Sequence, residues 1–415
     1  MNRLKAVALL FFVIIISCFA QAQDFYLHDG DRVVFYGDSI TEQKLYTNFI
    51  EAYVRTRFPN LKIEFWNSGV GGDTVMGGWA GPIDVRLKRD VLAYKPTVVT
   101  IMLGMNDGQY RALEPKILDD YTTGYKSIVQ TLKRELPGVR ITALEPSPFD
   151  DVTRPPQFAQ GYNATMLRFG QFVREYGKEQ GLTLADLNAP VVTEMRKARA
   201  WNTEAAKFII PDRVHPGAAG HWVMAMAVLK SWNAPSIVTD VAIDASAGKV
   251  DRSVNTEVTE FQKTATGIAW TQLDKTLPLD VNTDDISAEM ANRFGEIVRE
   301  LNQQPLRVTG LAAGNYELRI DGKPLGRFDA KQLASGVNLA LLDTPMRGQS
   351  GTLSWRVISE HNDTHSQRLR VLVHGSGSAE STQAAAYLEK VENDAKSSAR
   401  EVLQLKPHKF EIVKL

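Results

Sequence analysis

One serine of this chain stands where its side chain could act as a nucleophile. Ser39 lies within residues 37–41, Gly-Asp-Ser-Ile-Thr, directly after a strand-like apolar run and just before a helical pattern. A serine on such a turn projects from the chain, and its own backbone N–H can point at a developing oxyanion. The segment also fits an ordinary helix N-cap, because Asp and Ser are good capping residues. Taken alone, Ser39 therefore has two interpretations.

His215 is the candidate base for this serine. A hydroxyl is a poor nucleophile at neutral pH unless a base takes its proton, and that base must be oriented by a third group. The segment 212–216 reads Asp-Arg-Val-His-Pro. An aspartate three residues before a histidine on one tight turn can reach the imidazole, so Asp212 is the candidate orienting group. A purely structural histidine is the alternative.

Two further segments offer hydrogen-bond donors after strand-like runs. Residues 67–74 are rich in glycine, which lets a backbone approach a substrate closely. A dinucleotide site is excluded here, because G-x-G-x-x-G would need glycine where Thr74 stands. Asn106 can donate from its amide into the same crevice. An ordinary glycine-rich loop and a β-turn are the respective alternatives.

These segments belong to an alternation of strands and helices that extends to about residue 232. Strands are predicted at 32–36, 61–66, 97–103, 139–144 and 182–185, with helical patterns between them. Such alternation is typical of a parallel sheet with helices on both faces. Open sheets of this kind bind ligands at the carboxyl ends of their strands. The segments that carry chemistry are therefore expected to meet at one edge.

Together the four segments resemble the ordered sequence blocks of the SGNH hydrolases, also called GDSL esterases. The resemblance covers about residues 32–232, and the Gly-Asp-Ser and Asp-x-x-His-Pro blocks are its most specific parts. It implies an α/β fold, a flavodoxin-like three-layer α/β/α domain, and ester hydrolysis with no cofactor and no metal. Under this resemblance Ser39 attacks the ester carbonyl, His215 takes and returns its proton, and Asp212 holds the imidazole.

The resemblance also implies an oxyanion hole. Its donors would be the backbone N–H groups of Ser39 and Gly72 and the side chain of Asn106. Gly72 is chosen because it immediately precedes Asp73, as in the family block, and Gly71 is the alternative. Losing one such donor typically lowers turnover by roughly a hundredfold to a thousandfold.

Four other side chains have weaker patterns. Trp66 and Trp79 flank the glycine-rich loop, where each would form either a substrate-binding wall or part of the core. His361 and His365 are spaced i, i+4, which suits a metal on one helix face. The sequence offers no clear third ligand, so we predict a solvated surface for these two histidines.

The N-terminal residues have the order of a secretory signal peptide. A short positive region precedes an apolar run at 6–16, and Ala-Gln-Ala at 20–22 is a cleavage signal, so residues 1–22 are predicted to be removed. The residues before Cys18 also resemble a bacterial lipoprotein signal, in which Cys18 would be lipidated. We predict a secreted or periplasmic protein, with a lipid anchor at Cys18 as the alternative.

The composition excludes several classes of protein. The chain has 48 Lys plus Arg and 48 Asp plus Glu, whereas a nucleic-acid-binding domain normally has a basic excess. Cys18 is the single cysteine, so the mature chain would have no disulfide and no thiolate metal site. No later stretch is long and apolar enough for a membrane helix.

Residues 236–415 have a different pattern, and we predict a β-rich accessory module there, after a catalytic domain at 23–235. A hairpin is predicted around 316–320 with Asp321-Gly322 as its turn. Helices are predicted near 286–302 and 381–403. The region around 316–322 looks like one that follows SGNH domains in other secreted bacterial proteins, where it would bind glycans or pack on the catalytic domain.

The favoured substrate is an acetylated carbohydrate. A secreted SGNH domain with an appended β-rich module looks like polysaccharide-processing enzymes, which is an analogy of architecture. Two alternatives stay open. One is a lipase or arylesterase acting on short-to-medium acyl esters, and the other is a non-catalytic glycan-binding envelope protein on the same scaffold.

Overall fold

The structure, a computed structural model, describes residues 24–281, 289, 293, 296–375 and 377–415. The predicted signal peptide lies outside these residues, and so does most of the helix predicted near 286–302. Within the described ranges, every helix is too short or too polar to cross a membrane.

A parallel sheet organises the first half of the chain. The strands of this half are β1 (Arg32–Gly37), β2 (Glu64–Gly69), β3 (Gly77–Gly78), β4 (Gly81–Pro82), β5 (Val98–Met102), β6 (Arg140–Glu145) and β7 (Thr183–Asp186). Five of them pair in parallel in the order β2-β1-β5-β6-β7, while β3 pairs with β4. Counted along the chain, this order is 2-1-3-4-5, that of flavodoxin-like sheets. The predicted α/β fold is confirmed.

Helices cover both faces of this sheet. They are α1 (Ser39–Glu42), α2 (Leu45–Arg57), α3 (Ile83–Asp90), α4 (Pro115–Glu135), α5 (Asn163–Glu179), α6 (Asn188–Trp201), α7 (Thr203–Ala206) and α8 (Ala218–Ser231). Helix α2 packs against α8, and α4 packs against α5. All five residues of β5 are buried, as expected of a strand covered on both sides.

Two smaller sheets make up much of the second half. Their strands are β8 (Asp240–Asp244), β9 (Lys249–Val254), β10 (Thr256–Thr264), β11 (Gly267–Asp274), β12 (Pro305–Thr309), β13 (Asn315–Ile320), β14 (Lys323–Asp329), β15 (Val337–Asn338) and β16 (Pro407–Lys414). One sheet has the order β10-β11-β16-β13-β14 and the other β15-β12-β8-β9. The predicted hairpin is β13–β14. Asp321 and Gly322 have φ of 50° and 76°, as a two-residue type I′ turn requires.

A pair of helices joins the second half to the first. The described helices of this half are α9 (Ile297–Leu301), α10 (Ala330–Ser335), α11 (Pro345–Thr352), α12 (Ser359–His374) and α13 (Ala379–Val402). Helices α12 and α13 pack against each other. The amide of Asn362 donates to Oδ1 of Asn48 at 2.9 Å, and Asp363 pairs with Lys44 at 3.2 Å. Helix α12 therefore contacts the part of the chain that carries Ser39. The boundary after residue 235 stays a prediction.

Candidate active site

Ser39 lies at the turn between β1 and α1, where the sequence placed it. At Gly37 a Cβ atom would come within 2.7 Å of the carbonyl oxygen of Met102, so only glycine fits there. Asp38 then caps the helix, because its Oδ1 accepts a hydrogen bond from the N–H of Ile40 at 3.0 Å. The cap is thus Asp38, which leaves the hydroxyl of Ser39 for another contact.

His215 meets Ser39 at this edge of the sheet. Its Nε2 lies 2.8 Å from Oγ of Ser39, and its Nδ1 lies 2.7 Å from Oδ2 of Asp212. The other carboxylate oxygen of Asp212 accepts the backbone N–H groups of Val214 and His215, at 2.9 and 2.7 Å. The three side chains form an unbroken hydrogen-bonded chain. This arrangement lets a histidine take a proton from a serine.

The turn favours the ionised form of Asp212. Partial burial acts to raise the pKa of this carboxyl, but hydrogen bonds from His215 and Val214 outweigh it and lower the pKa. A carboxylate facing Nδ1 of His215 keeps the ring hydrogen on Nδ1. Nε2 can then accept the proton of Ser39.

Two further carboxyl groups are shielded from water, those of the buried Asp38 and the half-buried Asp107. The pKa of Asp38 and that of Asp107 are both raised to about 7, chiefly by burial and further by the charge of Asp73. Oδ1 of Asp107 accepts the N–H of Val75 at 2.9 Å, while its buried Oδ2 has no hydrogen-bond partner among the described residues. These two carboxyl groups therefore titrate near neutral pH.

The glycine-rich loop passes beside Ser39. A Cβ atom on Gly71 would lie 3.7 Å from the Cβ of Ser39. Two side chains bind Gly71. Oε2 of Glu42 accepts its N–H at 2.9 Å, and Nε1 of Trp79 donates to its carbonyl oxygen at 2.7 Å. Gly72 follows with a φ of +79°, a conformation that favours glycine.

The side-chain amide of Asn106 is oriented from both ends. Its Nδ2 donates to the carbonyl oxygen of Asp73 at 2.9 Å, and its Oδ1 accepts from the hydroxyl of Tyr110 at 3.0 Å. Asp73 is itself fixed by a fully buried ion pair with Arg86, in which Nε and Oδ2 are 2.6 Å apart. An amide nitrogen carries two hydrogens, so one N–H of Asn106 is left for another acceptor. The sequence patterns missed Tyr110.

A family match covers the residues that form this site. Residues 35–223 match the model of the GDSL-like Lipase/Acylhydrolase family. The chain carries a GDSL-type acylhydrolase domain. This GDSL domain is a carboxylic ester hydrolase, and the matched residues include the whole hydrogen-bonded chain from Ser39 to Asp212.

Two relatives extend the comparison beyond the family match. An acetylxylan esterase of Geobacillus stearothermophilus is 28% identical over 229 residues, which are 48% of this chain and 93% of the relative. A solved structure of a gut microbial diltiazem-metabolizing enzyme is 25% identical and superimposes with a TM-score of 0.83, covering 94% of this chain and 98% of that one. The first relative resembles the GDSL domain, whereas the second resembles both halves of the chain.

The two tryptophans beside the GDSL domain's glycine-rich loop have different environments. Trp79 is 52% exposed, and its Cδ1 would lie 3.8 Å from a Cβ atom on Gly72. Trp66 is only 7% exposed and stacks on Tyr94, with ring centroids 5.0 Å apart. Of the two interpretations that the sequence allows for Trp66, this burial favours core packing over a substrate-binding wall. Trp79 lies next to the site.

His361 and His365 are buried, at 2% and 0% exposure, so the predicted solvated surface is wrong. Each lies 3.3 Å from a carboxylate oxygen of Glu392. Arg368 and Lys396 also contact this carboxylate, at 3.2 and 3.3 Å. In the described part of the chain, no group of three or more His, Cys, Asp or Glu side chains could hold a metal ion. The cluster is an ion-pair network between α12 and α13.

Proposed function

We propose that the GDSL domain is a serine esterase with Ser39 as nucleophile and His215 as general base. The observation that carries this proposal is the chain of contacts at 2.8 and 2.7 Å from Ser39 through His215 to Asp212. His215 takes the serine proton as Oγ attacks the ester carbonyl, and it then protonates the leaving alcohol. Asp212 orients the imidazole and stabilises its charged form. Water releases the acyl group by the same steps.

The oxyanion would be bound by the backbone N–H groups of Ser39 and Gly72 and by Nδ2 of Asn106. The N–H of Gly71 is already donated to Glu42, which favours Gly72 over Gly71 for this role. The second N–H of Asn106 supplies the third donor. Preorganised donors of this kind are worth about a hundredfold to a thousandfold each in kcat.

The proposed substrate is an O-acetyl ester of a carbohydrate. Similarity to a protein named acetylxylan esterase, over 93% of that relative, supports both the acetyl group and the sugar alcohol. The exposed indole of Trp79 supports it independently, because it offers a flat apolar face beside the glycine-rich loop. The N-terminal pattern at 1–22 supports export to the periplasm or the medium, where such polymers occur, with anchoring at Cys18 as the alternative.

A second candidate function is hydrolysis of small-molecule esters. Likeness over 94% of this chain to an enzyme named for metabolizing diltiazem favours it. The two candidates share the acyl-enzyme chemistry and differ in the alcohol that leaves.

The first experiment measures hydrolysis of 4-nitrophenyl acetate, butyrate and octanoate. Ser39→Ala is compared with the wild type and with Ser127→Ala, which removes an exposed serine hydroxyl from α4. We expect acetate to be the best substrate and Ser39→Ala to lose about 10⁴-fold or more in kcat. Full activity of Ser39→Ala would reject the nucleophile, and a preference for octanoate would reject the acetyl proposal.

The second experiment separates the two alcohols. Acetate release from acetylated xylo-oligosaccharides is compared with hydrolysis of diltiazem under identical conditions. A kcat/KM at least about tenfold higher for the oligosaccharide supports the carbohydrate proposal, because this ratio measures discrimination between substrates. The reverse ratio supports the second candidate.

A further inference from the structure

Helix α12 contacts both side chains that bind Gly71. Arg370 forms an ion pair with Oε1 of Glu42, whose Oε2 accepts the N–H of Gly71 at 2.9 Å. The ring of His374 stacks on Trp79, with centroids 5.2 Å apart and planes 20° apart, and Trp79 donates to the carbonyl oxygen of Gly71. Arg370 and His374 are spaced i, i+4, so they lie on one face of the helix.

The direction of the Gly71 carbonyl decides where the N–H of Gly72 points. The two groups belong to one planar trans peptide, so they point in opposite directions. The flanking glycines have little conformational preference, and Gly72 already has a positive φ of +79°. The N–H of Asp73 donates to the carbonyl oxygen of Val70 at 3.2 Å and closes a β-turn around this peptide. Type I and type II turns share that hydrogen bond but place the central peptide in opposite orientations, and glycine allows both. The hydrogen bond from Trp79 favours the observed orientation.

We propose that Trp79, Arg370 and His374 are positioning residues for the esterase reaction, and that α12 of the accessory part keeps the Gly72 N–H aimed at the oxyanion. Trp79 acts through the Gly71 carbonyl, with His374 stacked on one face of its indole. Arg370 acts through Glu42 on the other peptide group of Gly71. The proposal rests on the proposed role of Gly72, and it holds for any alcohol that leaves.

The positioning effect is separable from stability. The side chain of Arg370 is 53% exposed, and ion pairs with an exposed partner contribute little to folding. Removing Arg370 should therefore leave the fold intact. Because the donor is misdirected and not deleted, the loss of kcat should be smaller than the hundredfold to thousandfold seen when a donor is removed, about three- to thirtyfold.

The test compares three variants on 4-nitrophenyl acetate. Trp79→Phe keeps an aromatic ring for His374 but removes the indole N–H, and Arg370→Ala removes the ion pair with Glu42. The matched control is Asp363→Asn, which removes another α12 ion pair, to Lys44 at 3.2 Å, that does not touch Gly71. We expect kcat to fall about tenfold in the first two variants with KM unchanged, as when a transition-state interaction is lost. The control should retain its kcat.

Two measurements distinguish positioning from a purely structural role: the salt dependence of kcat and the comparison of kcat with KM. The Arg370–Glu42 pair is screened by salt, so kcat of the wild type should fall between low and 1 M NaCl, while kcat of Arg370→Ala should not. Equal kcat in Arg370→Ala, Trp79→Phe and Asp363→Asn would overturn the proposal. So would a rise in KM with kcat unchanged for Trp79→Phe, because Trp79 would then contact the substrate without positioning the oxyanion donor. Failure of the underlying esterase proposal is recognised separately, as retained activity in Ser39→Ala.

Discussion

Nδ1 of His215 lies 2.7 Å from Oδ2 of Asp212, and the two residues are only three positions apart in one turn. The same aspartate accepts two backbone N–H groups of that turn, so the pair is assembled locally. The contact of His215 with Ser39 is of another kind, because these residues are 176 positions apart and meet only through the sheet. The orientation of the ring can therefore be perturbed without disturbing the fold.

Asp212→Asn should abolish most of the activity while leaving the protein folded. The amide oxygen can still accept the backbone N–H groups, but the amide NH₂ facing Nδ1 forces the ring hydrogen onto Nε2, opposite Ser39. We expect kcat to fall by about 10²- to 10⁴-fold. Steady-state kinetics and thermal unfolding are measured together, with Asp119→Asn on the exposed side of α4 as control. An unchanged kcat would show that the orientation of His215 does not need Asp212.

Tyr110→Phe should lower activity only through Asn106. The variant keeps the ring that stacks on Tyr162, at 5.1 Å between centroids, and removes the hydroxyl that binds Oδ1 of Asn106. We expect about a hundredfold to thousandfold loss of kcat in Asn106→Ala. Tyr110→Phe should lose roughly three- to tenfold, and the double variant should be no worse than Asn106→Ala, because groups that act as a unit are not additive. Losses that multiply would show that Tyr110 acts independently.

The sequence could predict which segments of the GDSL domain form the site, because the contacts within each segment are local. Asp38 caps a residue two positions away, and Asp212 binds a residue three positions away, so each block carries its own geometry. The alternation of strands then brings the blocks to one edge. The sequence patterns missed α6. Pro190 is its third residue, a first-turn position where proline is tolerated, so this proline does not interrupt the helix.

The contribution of the accessory part could not be predicted in this way. Arg370 and Glu42 are 328 residues apart, and neither belongs to a recognisable motif. The sequence predicts a solvated surface for His361 and His365 because it offers no clear third metal ligand beside them. They are buried by the packing of α12 against α13 and the GDSL domain, and no local sequence pattern predicts that packing.

Glu392→Gln should destabilise the α12–α13 pair. Its carboxylate is 1% exposed, and the loss of its charge would leave His361, His365 and Arg368 without their buried anion. Breaking a buried pair in this way typically costs about 3–5 kcal/mol of unfolding free energy. Glu389→Gln is the matched control, since Glu389 contacts Arg368 at 3.6 Å but is 59% exposed, and we expect a cost below about 1 kcal/mol. Urea unfolding at pH 7 measures both.

The stability contributed by Glu392 should disappear in acid. Burial acts to raise the pKa of this carboxyl, but the contacts with His361 and His365 and the charge of Arg368 outweigh it and hold the pKa far below its ordinary 4.5. The native state therefore keeps Glu392 ionised where the unfolded chain has taken up a proton, and stability falls as pH drops below about 4.5. The difference between wild type and Glu392→Gln should shrink over that range. A difference independent of pH would contradict the ion-pair account.

Asp107→Asn should make the unfolding free energy of the protein less sensitive to rising pH. Burial raises the pKa of Asp107 to about 7 from an ordinary 3.8, so between these values the native state holds a proton that the unfolded chain has released. Stability from this group is therefore present below about pH 4 and is lost as pH rises towards 7, at about 1.4 kcal/mol per unit of pKa difference at most. The side-chain amide of the variant still has an oxygen that can accept the N–H of Val75, but it does not ionise. The unfolding free energy of the variant minus that of the wild type should therefore rise by about 2 kcal/mol or more from pH 4.5 to pH 8. Asp84→Asn, at an exposed position of α3, should show no such rise, and an equal slope in the two variants would refute the assignment to Asp107.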